Sequence, residues 1–264
     1  MASRTRQKEE ARQRRLVEEQ AQAERARRTR RLQMLGGVVL AAVAVIAVAI
    51  AISSSGSSSP KATPAAFKSA ASKVDSQLSG IPQSGVTLGS PSAKVTVTEY
   101  GDLQCPICRD FALGAGGQLV SGEIKQGKAK LVYKSLETAT GNSPNPNIFP
   151  TQQAAANAAG AQQKAWNYIL TFYNSQGQEG TAYVNQNFLD GIAKSIPGLN
   201  FSAWQTASAD PKYTQQVQSD QQTAAGHGYN STPTLVISGP KGQAQPIVGN
   251  TDYGTLQSAI KSVS

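Results

Sequence analysis

Residues 94–108 read Lys94-Val95-Thr96-Val97-Thr98-Glu99-Tyr100-Gly101-Asp102-Leu103-Gln104-Cys105-Pro106-Ile107-Cys108, and this run decides the fold. Its first half alternates with the period of a β-strand, which puts Val95, Val97 and Glu99 on one face. A carboxyl group therefore shares the expected core face with two valines. The second half leaves the strand and brings a C-x-x-C pair to the start of a helix, the context of a redox-active dithiol. Two sulfurs at this spacing on a first helical turn reach bonding distance. The unpaired N–H groups of that turn favour a thiolate on Cys105 and lower its pKa. A lowered pKa makes Cys105 a better leaving group and its disulfide a stronger oxidant. The competing reading, a purely stabilising disulfide, gains little, because so short a loop removes little chain entropy.

Working outward, Val86–Leu88 is a short strand set off from residues 94–100 by the turn Gly89-Ser90-Pro91. A helix is expected over Cys108–Gln126, weakened by Gly114, Gly116 and Gly117, and a strand over Lys130–Leu136 with Leu131 and Tyr133 on one side. A Pro/Asn-rich loop, 141–150, leads into segments of helical period over 154–173 and 184–196. A further helix starts at Asp210, a good N-cap followed by Pro211, and runs to about Ala225. Strands return at 234–238 and 245–248 around the turn Gly239-Pro240-Lys241-Gly242, and a helix over 253–263 closes the chain. This order, β-β-α-β, then helices, then β-β-α, is an α/β core carrying a helical insertion at about 141–225.

The chain has 264 residues and a net charge of +9, with two Cys and one His. Residues 1–33 hold 11 of the 25 Lys and Arg and 5 of the 16 Asp and Glu, leaving +6 there and +3 over the rest. The basicity belongs to a tail, which argues against a basic nucleic-acid-binding domain. So few Cys and His also exclude a multi-disulfide scaffold and a four-ligand Cys/His zinc site, and no metal or cofactor is expected.

Residues 34–52, MLGGVVLAAVAVIAVAIAI, carry no charge over 19 positions. As a helix they reach roughly 28 Å, close to the ~30 Å of a bilayer core, and read as one transmembrane helix. Arg27, Arg28, Arg30 and Arg31 precede it and an uncharged serine run follows, so the N-terminus is expected in the cytoplasm and the remainder outside. Cleavage as a signal peptide, after Ala49-Ile50-Ala51, is the competing reading; the length of the apolar run and the five Glu of the leader oppose it. Residues 1–33 then form a charged cytoplasmic leader, and 53–84, opening with SSSGSSSPKATPAA, a flexible linker. The folded domain is expected over 85–264. Outside the membrane is also where disulfides form and persist.

The run from Val86 to Cys108, VTLGSPSAKVTVTEYGDLQCPIC, resembles the N-terminal signature of the DsbA-like thiol:disulfide oxidoreductases. A second stretch, Gly228 to Ile237 (GYNSTPTLVI), is similar to their cis-proline loop. The resemblance implies a thioredoxin-like fold with an inserted α-helical subdomain. It implies that Cys105 is the exposed nucleophile, that Cys108 is the more buried partner, and that a cis Pro233 faces them. Thr232 would offer its backbone to an extended client, with Pro106 and Ile107 in the contact surface. Glu99 matches the position of the family's buried acid, which would relay the proton of the buried sulfur. One departure matters: Ile107 stands where strong oxidants of the family often carry His, so the oxidising strength is not carried over with the resemblance.

The leading expectation is a membrane-anchored enzyme that oxidises exported, reduced or unfolded clients. An integral quinone-linked membrane partner, DsbB-like or vitamin K epoxide reductase-like, would reoxidise it. An extracytoplasmic reductase or isomerase, for example in cytochrome c maturation, is the alternative, and a non-catalytic client-binding scaffold the second. Of the remaining residues, His227 and Arg109 read as loop and surface positions, Trp166 and Trp204 as packing, and Asn230-Ser231-Thr232 as an incidental glycosylation match.

Overall fold

A computed structural model describes residues 63–264. The leader and the transmembrane helix expected over 34–52 lie outside the described residues. Among the described residues no helix is long and apolar enough to cross a membrane.

The chain opens with helix α1 (Pro64–Leu78), capped by the Thr63 hydroxyl with Pro64 in its first turn. Residues 64–84 are therefore not part of a flexible linker, as their Ser/Ala-rich composition suggests. Phe67, Ala71, Val74 and Leu78 recur at i, i+4, i+7 and i+11, and all four are buried. Short strands β1 (Gln83–Ser84) and β2 (Thr87–Leu88) pair antiparallel and lead to β3 (Val95–Gly101).

The single helix expected over 108–126 is broken. Helix α2 (Pro106–Leu113) ends at Gly114, and α3 (Ala115–Leu119) continues into a π-helical turn, Val120–Ile124. A Cβ on Gly114 would stand 2.7 Å from the carbonyl oxygen of Asp110, so only glycine lets the chain change direction there. Strand β4 (Ala129–Ser135) follows, then the insertion: α4 (Phe149–Ala159), α5 (Ala165–Asn174), α6 (Gln186–Ser195), α7 (Phe201–Ser208) and α8 (Pro211–Gly226). The helical period over 154–173 is divided between α4 and α5 because Gln163 takes a left-handed conformation, φ 60°. Strands β5 (Thr234–Gly239), β6 (Gly242–Gln243) and β7 (Ile247–Val248) and helix α9 (Tyr253–Val263) complete the domain.

The sheet order is β1-β2-β4-β3-β5-β6, with β7 on β5. Central β3 runs parallel to β4 and antiparallel to β5. This is a thioredoxin-like α/β fold: a mixed sheet covered by α2 and α9, with five helices inserted between β4 and β5. Helix α1 packs on α5 and α6 of the insertion. Trp166 and Trp204 are fully buried, as expected of packing residues, and their indole N–H groups donate to the carbonyls of Val86 and Ala155.

Candidate active site

The site forms where β3 ends. After Gly101 the chain turns through Asp102-Leu103-Gln104, and the Cys105 N–H donates back to the Asp102 carbonyl at 3.0 Å. Cys105 is the N-cap of α2, in extended backbone, with Pro106 in the first turn, where its missing N–H costs nothing. A thiol sulfur thus occupies the position of a capping oxygen, and the Cys108 N–H donates to Cys105 Sγ at 3.4 Å. Both cysteines are free thiols. Ile107 points outward, 41 % exposed, and Pro106 is half-buried.

Across from this turn the Thr232–Pro233 peptide bond is cis, as the sequence resemblance implies. It brings the Thr232 carbonyl oxygen to 3.5 Å from Cys105 Sγ, which donates to it. The structure corrects one expectation here: Cys105 is only 6 % exposed, its sulfur held between the Thr232 carbonyl and the Cys108 N–H. Cys108 is completely buried, as expected.

The two sulfurs differ sharply in acidity. Cys105 is pulled down to about 6, first by a hydrogen bond from the Cys108 thiol, then by the Thr232 hydroxyl and the backbone N–H groups of Cys108 and Ile107, against the opposing effect of burial. Cys108 is pushed well above the ordinary thiol range by burial first, and then by Cys105 and Glu99. Glu99 is completely buried on the face shared with Val95 and Val97, and desolvation, followed by the charge of Cys105, raises it to about 8.

The structure therefore brings Glu99, Cys105, Cys108, Thr232 and Pro233 together. His227 lies elsewhere on the surface, stacked on Tyr229 at the end of α8, and Arg109 is exposed. Sequence reasoning missed the groups that hold the site in place. Asp102 is completely buried and accepts from the backbone N–H groups of Gln104, Thr138 and Thr140, the Thr140 hydroxyl and the Gln152 amide. Gln176, just past α5, donates to the carbonyls of Leu103 and Cys105 at 2.9 and 3.1 Å. The Thr138 hydroxyl meets that of Thr232. An acid directly after the strand was the one local signal; the partners come from distant segments, which no local pattern reveals.

A thioredoxin-like sheet that sets a C-x-x-C pair on a helix N-terminus, against a cis-proline loop and above a buried acid, defines a DsbA-like thiol:disulfide oxidoreductase. The chain belongs to the thioredoxin family, whose model, described as Thioredoxin, matches residues 82–262. It is 23 % identical over 180 residues to a probable disulfide bond formation protein D of Bacillus anthracis, covering 66 % of this chain and 76 % of that one. Its fold is similar to oxidised BdbD from Bacillus subtilis, with TM-score 0.57 and 19 % identity over 69 % of this chain and 95 % of that one. It is similar also to Pseudomonas aeruginosa DsbA2, with TM-score 0.55 and 24 % identity over 70 % and 97 %.

Proposed function

We propose that this protein is a membrane-anchored, extracytoplasmic oxidant that passes its Cys105–Cys108 disulfide to exported clients. The observation that carries this reading is the unequal setting of the two sulfurs: Cys105 lowered to about 6 at the N-cap of α2, Cys108 raised and more deeply buried. In the oxidised enzyme a client thiolate attacks Cys105 Sγ. The Cys105–Cys108 bond breaks, and its electron pair leaves on Cys108 in a dry environment that disfavours a thiolate. Glu99, raised to about 8 and so protonated near neutral pH, gives that sulfur its proton. A second client thiolate then attacks the client sulfur of the mixed disulfide, and Cys105 departs as a stabilised thiolate. The client has lost two electrons to the enzyme.

The extended client segment pairs with the Thr232 backbone beside Pro233, while Pro106 and the exposed Ile107 touch its side chains. A quinone-linked membrane protein, DsbB-like or vitamin K epoxide reductase-like, takes the two electrons and restores the disulfide. The naming of the Bacillus anthracis relative for disulfide bond formation supports this direction. The anchor is the apolar run 34–52, whose flanking arginines favour a catalytic domain outside the cell membrane.

Equilibration with glutathione at pH 7 tests the direction. A thiol lowered from the usual ~8.5 to about 6 stands at roughly ten thiolates to one thiol at pH 7, where an ordinary thiol is almost wholly protonated. That favours the reduced enzyme by about one decade and raises the potential by ~30 mV through this cause alone, relative to the same pair with an ordinary thiol; thioredoxin, at ~−270 mV, is the standard for comparison. A value at or below thioredoxin's assigns the reductase direction instead. Cys105→Ala abolishes oxidation of a dithiol peptide if the thiol does the chemistry; a wild-type protein that binds the peptide without oxidising it would be only a client-binding scaffold.

A further inference from the structure

Beneath α2 lie four polar atoms with no hydrogen-bond partner outside their own cluster among the described residues: both carboxyl oxygens of Glu99 and the hydroxyls of Tyr133 and Tyr173, the two hydroxyls facing each other. All three side chains are 0 % exposed. Buried polar groups in folded proteins are overwhelmingly paired, because one left alone gives up its hydration with nothing in return. Their arrangement makes them one cluster. Glu99 and Tyr133 are cross-strand neighbours in the parallel β3–β4 ladder and share its buried face. A Cβ placed on Gly101 would lie 3.1 Å from Tyr133 Oη and 3.2 Å from Glu99 Oε1, so both oxygens converge on the space this glycine leaves open. The Tyr133 ring is fixed edge-on against Trp166, with centroids 6.2 Å apart.

We infer that Tyr133 is a positioning residue for the proton carried by Glu99: its hydroxyl donates to the Glu99 carboxylate whenever that proton has moved to Cys108. The hydroxyl reaches the carboxylate across the gap at Gly101, by a small side-chain rotation or through one bridging water. The balance is simple. The S–H bond forms on Cys108, the O–H bond of Glu99 breaks, and the new carboxylate gains a neutral donor where bulk water cannot reach it. Tyr133 keeps its own proton throughout, since burial first, then Cys108, Glu99 and Asp102, holds its hydroxyl well above the ordinary range. The titratable groups facing this site are Cys105 and Cys108 from α2, Asp102 after β3, Glu99 on β3, Tyr133 on β4 and Tyr173 on α5. Among the described residues no Lys or Arg bonds to Glu99, so a neutral donor is what the cluster supplies.

The inference rests on the proposed role of Glu99, and the experiment separates the two. In the full chain, disulfide transfer to a dithiol peptide is followed by rapid mixing from pH 5 to 10. Glu99→Gln should slow the transfer and remove the inflection that Glu99, raised by burial, gives above the ordinary carboxylate range. If it does neither, Glu99 is not the acid, and this inference falls with it. Given that effect, Tyr133→Phe should slow transfer at pH 7 about tenfold, the ~1.4 kcal/mol of one hydrogen bond to a charged group. It should also move the inflection upward, because the carboxylate has lost a donor, while the alkylation midpoint of Cys105 stays in place. Tyr173→Phe, which leaves the Tyr133 hydroxyl present but unsupported, should shift the inflection the same way by less. A Tyr133→Phe protein that loses melting temperature with rate and inflection unmoved has shown only a packing role, and overturns the assignment. If that protein does not fold, an unmoved inflection in Tyr173→Phe overturns it equally.

Discussion

The hydroxyl of Thr138 is hydrogen-bonded to the hydroxyl of Thr232, and this contact ties the cis-proline loop to the loop after β4. With Thr138 as donor, the proton of Thr232 is left to face the Cys105 sulfur, the orientation that favours a thiolate. The Thr138 N–H is in turn fixed on Asp102 at 3.0 Å. Thr138→Val keeps the shape and the backbone bond and deletes only the hydroxyl. The alkylation midpoint of Cys105 should rise from about 6 by roughly half a unit to one unit, equivalent to about 1 kcal/mol for one buried hydrogen bond. Iodoacetamide reaction rates against pH give the answer, and a midpoint equal to wild type would separate Thr138 from the chemistry.

Asp102 holds together three segments that approach the cysteines from different parts of the chain. Its carboxyl oxygens accept from the loop before α2, from the 138–140 loop and from Gln152 of the insertion. Asp102→Asn replaces one acceptor with an NH₂ that faces donors, leaving at least one buried group unpaired. We expect a loss of about 2–3 kcal/mol in urea unfolding with an unchanged slope, and slower disulfide transfer as the 138–140 loop loosens behind Thr232. Retained stability would mean that the loops are held by packing alone.

Much of the site was legible along the chain, because its chemistry sits in two contiguous runs. Alternation put Glu99 on the core face, and the C-x-x-C spacing put both sulfurs on one helical turn. What was not legible depends on register and on distance in sequence. Leu131 and Tyr133 could be set on one side of a strand, but that Tyr133 stands beside Glu99 follows only from the parallel β3–β4 pairing. The donors on Asp102 come from up to 50 positions away. Helix α1 was hidden for another reason: the serine- and proline-rich composition before it outweighed the apolar spacing of four small or isolated side chains. The extent of α2 was overrun because helical period says nothing of the close approach to Asp110 that stops it at Gly114.

That hidden helix makes its own prediction. Phe67 is buried between α1 and α6, edge-on to Phe188 with ring centroids 5.3 Å apart. Phe67→Ala should cost about 3 kcal/mol or somewhat more, as a large aromatic removed from a packed interior does. The Cys105 alkylation midpoint should not move, since α1 packs mainly on α5 and α6. A chain shortened to begin at residue 81 should be destabilised further. Unchanged unfolding for either would mean that α1 is dispensable and that residues 64–80 act as a tether after all.

Burial of Glu99 should set how stability depends on pH. The acid is raised from an ordinary 4.5 to about 8 on folding, so between these values the native state keeps a proton that the unfolded chain has released. The stabilising effect is complete below about pH 4.5 and is lost as pH rises through 8, by up to ~1.4 kcal/mol per unit. The oxidised protein is the form to measure, because neither cysteine titrates in it and desolvation, the main cause of the shift, persists; without the charge of Cys105 the upper end of the window lies below 8. Its urea midpoint should fall from pH 5 to pH 8, and in Glu99→Gln the curve should be flat across that window. In the reduced protein the same fall should be opposed above pH 6, where Cys105, lowered to about 6 on folding, makes the native state the one that has released a proton. An oxidised wild-type protein as stable at pH 8 as at pH 5 would mean that Glu99 ionises freely where it lies, and that the dry environment under Cys108 is wetter than its complete burial implies.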